Sequence, residues 1–250
     1  MKKIIYILLL ATATITTTNV YALENTNTLN DYQLTNSGSK EDYLLNQSLS
    51  AQRLNQISNN NSIQPRTGSY ISLEFLTGSS YPNYQQEKSY WCGPATIKQA
   101  VQWINGSSLS QQTYATSMGT NSTSGSYVYK MRNEMNLRQS SHSYVYTDAS
   151  TLTDKWDMWG MVTSDIRENE VPVIVHGLTG ILYMYNGRNL GHYFTLVSYY
   201  DDYQGSEYNY FEYMDTYYNN YGRGSVLGLH TVNFDDLYNS LHNSGRFIIW

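Results

Sequence analysis

The first strong pattern in the chain is an apolar run from Ile4 to Ala13, led by Lys2 and Lys3 and followed by small and polar residues up to Val20-Tyr21-Ala22. Such a run is too short to span a bilayer. A basic start, an apolar middle and a small-residue end predict a cleavable secretory leader over residues 1–22. From Leu23 to Ser69 the pattern fades into Asn, Gln, Ser and Thr. Within it, "KEDYLLNQSLSAQRLNQI" places Tyr43, Leu45, Leu49 and Ile57, with Leu44 and Leu54, on an imperfect helical stripe. "SNNNSIQPRTGS" then reads as a linker. Residues 23–68 are expected to be a polar spacer or propeptide with one short helix; the alternative is a disordered tail.

After residue 69 the apolar positions become regular. "YISLEFL" alternates as a strand does. Residues 93–105 read as a helix, with Pro94 in the first turn, Ile97, Val101 and Ile104 at helical spacing, and Asn105-Gly106 as its end. Short helices follow in "SLSQQTYATSMG" and "SYVYKMRNEMN", then a strand in "HSYVYTDA". A longer helix in "DKWDMWGMVTSDIREN" carries Trp156, Trp159 and Ile166 on its apolar side. The remainder turns to strands: "VPVIVHGL", "GHYFTLVSYY", "YNYFEYMD" and "VLGLHTV". A helix capped by Asn233 and a last strand, "RFIIW", complete it. Helices first and a mostly antiparallel sheet second give an α+β domain over residues 69–250.

Composition sharpens this picture. The 26 tyrosines supply much of the apolar area with a polar tip attached. Charged residues are 14% of the chain and the formal balance is −5, with lysines and arginines scattered rather than clustered. A nucleic-acid partner is therefore not expected. There is one cysteine, Cys92, so no disulfide can form within the chain, and no cysteine follows the leader to carry a lipid anchor. No membrane anchor is expected.

A lone thiol either packs or reacts. Cys92 stands at the predicted start of a helix, where the dipole and the free N–H groups favour thiolate; a packing cysteine would sit mid-helix beside Ile97 and Val101. Thiol chemistry also needs an imidazole and a group to orient it. Of the five histidines, His142 and His242 lie in polar stretches and are expected to face solvent, while His176 and His230 fall within apolar strands. His192 follows Gly191 at a strand's beginning, where a side chain can face a cleft. Asp215, at the end of "YNYFEYMD", is the leading orienter; Asp201 and Asp202 read as a solvated turn, and Asn219 and Asn220 are substitutes. An oxyanion needs donors. The Cys92 N–H is one, and Gln85 or Gln86 upstream could supply another.

The segment "YQQEKSYWCGPATIKQAVQWI", with "YATSMGT", "GHYFTLVSYYDD" and an aspartate after the next strand, resembles secreted papain-like cysteine peptidases related to the bacteriocin-leader (double-glycine) peptidases. The resemblance covers about residues 70–250. It implies a papain-like fold, Cys92 as nucleophile, His192 as base, Asp215 as orienter and Gln86, six residues before the cysteine, as oxyanion donor. Trp91 would line the cleft, with simple core packing as the equal alternative. It further implies a secreted bacterial enzyme with a peptide or protein substrate; no metal or cofactor is expected, since the histidines show no ligand spacing and there is no second cysteine, and a monomer is expected. Two features depart from the pattern: no transporter domain accompanies the peptidase, and Thr216 stands where proline often follows the aspartate. The competing expectations are a Cys–His amidase, deamidase or transglutaminase, or a binding protein that keeps the fold without turnover.

Overall fold

The computed structural model describes residues 31–59, 69–202 and 206–250; the expected leader lies outside them. Part of the polar segment before the domain is ordered into two helices, α1 (Asp31–Ser37) and α2 (Lys40–Asn59). Ile57 and Leu54 join the core, and polar contacts add to this apolar anchor. The Gln33 amide and the Tyr43 hydroxyl both donate to the buried carboxylate of Asp148, and Ser37 accepts from the Tyr146 hydroxyl at 3.3 Å. Arg53 reaches across to pair with Asp165, donates toward His142 at 2.9 Å and lies over the Trp250 ring at 4.3 Å.

Next come β1 (Ser69–Ser72) and a short helix α3 (Leu73–Thr77). The stretch expected as one strand therefore breaks at Ser72, whose hydroxyl accepts from the Phe75 N–H and starts a helix that Gly78 closes at φ 70°. A side-chain cap overrides alternation here. The helices α4 (Cys92–Asn105), α5 (Gln111–Met118), α6 (Val128–Arg138) and α7 (Lys155–Arg167) follow, separated by β2 (Tyr146–Asp148) between the last two. The sheet is completed by β3 (Val173–Leu178), β4 (Gly191–Asp201), β5 (Tyr210–Asp215), β6 (Gly228–Asn233) and β7 (Phe247–Ile249), with α8 (Phe234–Ser244) before the last strand.

Among the described residues the sheet has seven strands in the order β2-β7-β3-β4-β5-β6, with β1 added to β4, and every pairing is antiparallel. The α+β architecture is that expected from the order of elements. β4 is the axis. Its first half pairs with β3 (Gly177 opposite His192), its second half with β1, and its other side with β5. Trp159 of α7 packs on Phe211, Tyr199 and Phe234 at 5.0–5.6 Å, tying the long helix to the sheet.

The Arg53–Asp165 pair makes the N-terminal helices testable. Asp165 is fully buried, and burial pushes its carboxyl up to about 7 against the downward pull of Arg53. Removing one partner of such a pair costs on the order of 3–5 kcal/mol. Asp165 keeps its Asn169 donor at 3.0 Å and can take up a proton, so Arg53→Ala should cost about 2 kcal/mol by urea unfolding at neutral pH. With the folded value raised, stability linked to Asp165 is greatest in acid and falls as pH climbs from about 4 through the folded value. Without Arg53 that fall should extend to higher pH. A variant with unchanged urea midpoint would show that α2 rests on the domain without stabilising it.

Candidate active site

Cys92 opens α4, and the sequence makes this end of the helix receptive. Trp91 offers no side-chain cap and the first turn holds no carboxylate, so the leading N–H groups are left for another acceptor. Gly93 is required by space: a Cβ there would lie 2.4 Å from the Ser126 hydroxyl and 3.0 Å from the Met131 sulfur. Glycine thus lets the cysteine-bearing turn press against the 119–127 loop. At the same turn, Thr96 donates to the Tyr193 carbonyl at 3.3 Å and locks α4 to β4. His192 is the second residue of β4, and so faces the start of the helix.

On one side the His192 ring is close enough to the Cys92 thiol for each to shift the other's proton affinity. On the other, its Nε2 lies 2.8 Å from Oδ1 of Asp215, which ends the neighbouring strand β5. The remaining ring nitrogen, Nδ1, is thereby the one available to sulfur. Asp215 is wholly buried, and its oxygens are well supplied: Oδ1 also accepts the Tyr217 N–H at 2.8 Å, and Oδ2 the Tyr185 hydroxyl at 3.0 Å. Burial pushes the Cys92 thiol up, but the His192 hydrogen bond and charge, helped by backbone groups of Tyr193 and Gly93, bring it below the ordinary thiol range. Burial likewise disfavours a charged His192, yet Asp215 and Cys92 raise it to about 10. Both shifts favour a thiolate beside an imidazolium.

Gln86 and Gln85, adjacent in the loop, separate in space. Gln85 is exposed, whereas Gln86 is buried and clamped. Its N–H donates to the Thr216 carbonyl at 2.8 Å and its Oε1 accepts from the Thr216 hydroxyl at 3.3 Å. Its Nε2 donates one hydrogen to the Lys88 carbonyl at 2.9 Å, in the loop that leads to Cys92. An amide nitrogen carries two hydrogens, so that bond uses one of the two.

The cleft over Cys92, about 340 Å³, is walled by Ser89, Tyr90, Thr123–Gly125, Leu190 and Tyr217. Trp91, expected either to line the cleft or to pack in the core, is not on this wall. Trp91 is 3% exposed, with its indole turned inward beneath Lys88, whose ammonium lies 4.2 Å from the ring centre; Tyr90 takes the place on the wall. At a helix start consecutive side chains diverge, and the larger apolar one was drawn into the core. His142 and His242 do not simply face solvent: the first meets Arg53 and the second bonds the Ala149 carbonyl at 3.0 Å. Asp201, read as part of a solvated turn, is buried at the end of β4. His176 is buried and stacked on Tyr193 at 4.3 Å, and burial, then Arg246 and His192, lower it to about 3.

Tyr185 and Thr216 carry no signal in the local pattern. The first lies in the loop between β3 and β4, the second is the residue that departs from the family pattern, and long-range contacts alone give them partners. Among the described residues no group of three or more His, Cys, Asp or Glu could hold a metal ion, and no helix is long and apolar enough to cross a membrane.

The sequence profile of the Peptidase_C39 like family matches residues 79–245, more than half of the chain. No curated protein sequence matches significantly. Among solved structures the chain is similar to the peptidase domain of Streptococcus ComA, a bi-functional ABC transporter involved in a quorum sensing pathway. The identity is 17%, the TM-score 0.43, and 68% of this chain and 96% of that one are covered. It is similar also to a double glycine motif protease from an AMS/PCAT transporter in complex with the leader peptide (11% identity, TM-score 0.38, coverage 68% and 89%). A third is the bromelain protease from Ananas comosus in complex with the E64 inhibitor (13% identity, TM-score 0.45, coverage 72% and 97%).

Proposed function

Because the chain belongs to the Peptidase_C39 like family and is a cysteine-type peptidase, we propose that Cys92 is its nucleophile, His192 its general base and acid, and Asp215 the group that orients the imidazole. The observation that carries this reading is the continuous path from the Cys92 thiol through the His192 ring to a buried carboxylate 2.8 Å beyond. Thiolate attacks the peptide carbonyl carbon, forming a C–S bond and an oxyanion that the Cys92 N–H and the spare Gln86 Nε2–H stabilise. As the oxyanion collapses the C–N bond breaks, and the leaving amine takes its proton from His192. Water then gives a proton to His192 and attacks the thioester, releasing the acid and restoring the thiolate. The substrate is a peptide or protein met outside the cell after residues 1–22 are removed, and the enzyme works as a monomer.

The test is the rate at which iodoacetamide alkylates Cys92 across pH, read by intact mass; with one cysteine, every mass shift reports that thiol. The urea-unfolded chain is the reference. The lowered thiol and raised imidazole define a window in which thiolate and imidazolium coexist, closing above about 10 as His192 loses its proton. The folded protein should therefore react readily at about pH 5–6, while the unfolded chain gains rate only toward about pH 8.5. Matching profiles, or a folded thiol inert throughout, would sink the proposal.

A further inference from the structure

Next to the cleft, the loop between β3 and β4 and the loop between β5 and β6 meet in a cluster of aromatic rings. Tyr217, which lines the cleft, stacks on Tyr221 at 6.2 Å. Arg188 lies over Tyr221 at 4.5 Å, and Arg223 over Tyr183 at 4.1 Å, with its Nε donating to Asn186 at 3.0 Å. Leu190, 44% exposed, joins this surface to the cleft wall. Both guanidinium groups sit over a ring, and both arginines are exposed.

The charges here are one-sided. Across residues 177–190 and 216–229 the only charged side chains are these two arginines, in a chain with 20 acidic and 15 basic residues. No ion pair with a carboxylate is recorded for either among the described residues, where other cations such as Arg53, Arg138 and Lys155 have one. Apart from Cys92 and His192, the residues that wall the cleft carry no formal charge. The platform therefore adds two positive charges beside this wall. Planar arginines on aromatic rings suit carboxylates that they can grip with two N–H groups, while the tyrosine edges between them suit aromatic side chains.

We propose that this tyrosine–arginine platform is a docking surface for an acidic, aromatic-containing stretch of the peptide substrate, placed to one side of the bond presented to Cys92. The proposal rests on the peptidase reading for its occupant, but not for its test. Binding is measured on Cys92→Ala protein by fluorescence anisotropy, with a labelled peptide of alternating glutamate and tyrosine as probe. The control is the same peptide with lysine for glutamate. The acidic peptide should bind and the lysine peptide should not. The double variant R188Q/R223Q should weaken the acidic peptide by about five- to tenfold, the order expected for two partly exposed charge-assisted contacts. Added salt should do the same to the Cys92→Ala protein and little to the double variant. Equal binding of both peptides, or binding that ignores the arginines, overturns the platform. Failure of the peptidase reading would show separately, in the alkylation profile of Cys92, which the two glutamine substitutions should leave unchanged.

Discussion

Replacing His192 with alanine should lower peptide hydrolysis by about 10^3- to 10^4-fold, because in the proposed mechanism one side chain both activates the nucleophile and carries the proton to the leaving group. The same change should remove the low-pH reactivity of Cys92. Without the imidazolium, burial is left to push the thiol upward, opposed only by the backbone groups of Tyr193 and Gly93. Alkylation should then fall at acidic and neutral pH and recover only in alkali. Reading both quantities on one preparation separates chemistry from folding: a misfolded variant exposes its thiol and alkylates like the unfolded chain. His192→Ala protein that unfolds normally in urea yet keeps near-full turnover would require a different base.

The second large effect is expected at Gln86. Removing one donor from an oxyanion site costs about 10^2- to 10^3-fold in kcat, so Gln86→Ala should show that loss with KM little changed. Its alkylation profile should stay that of the unaltered protein, since Gln86 is not among the groups that set the Cys92 or His192 proton affinities. Thr216→Val, close in shape but lacking the hydroxyl bonded to Oε1, should produce a weaker loss of the same kind. A Gln86→Ala enzyme with unimpaired kcat would leave the oxyanion to backbone donors alone. A changed alkylation profile would mean that the loop before α4 had moved.

Much of this molecule was readable in one dimension wherever the deciding interactions are local. α4 begins and ends where Pro94 and Gly106 require, α8 starts at its Asn233 cap, and the β3 to β6 strands fall in the apolar segments read as strands. Where the reading went astray, a non-local or capping contact was responsible. Ser72 turned half of an expected strand into a helix. The helix α2 is longer than its weak apolar stripe suggested, because Tyr43, Asn46, Ser50 and Arg53 are matched to polar partners about a hundred residues away. Such matching leaves no periodic trace, since a buried polar residue is defined by its partner and not by its neighbours in sequence.

The same division runs through the site. Sequence alone determined that a single thiol would stand at a helix start, that His192 would begin a strand and that Asp215 would end the next, because each follows from an element boundary. Only the tertiary structure decided that these three ends meet, with 2.8 Å between His192 and Asp215. It also decided that Gln86 rather than Gln85 is held inside by Thr216, that Tyr185 supports the second oxygen of Asp215, and that Tyr90 rather than Trp91 forms the wall. Pattern and capping act within a turn or a strand, whereas the choice between adjacent, chemically similar side chains is made by packing and by hydrogen-bond partners from distant segments.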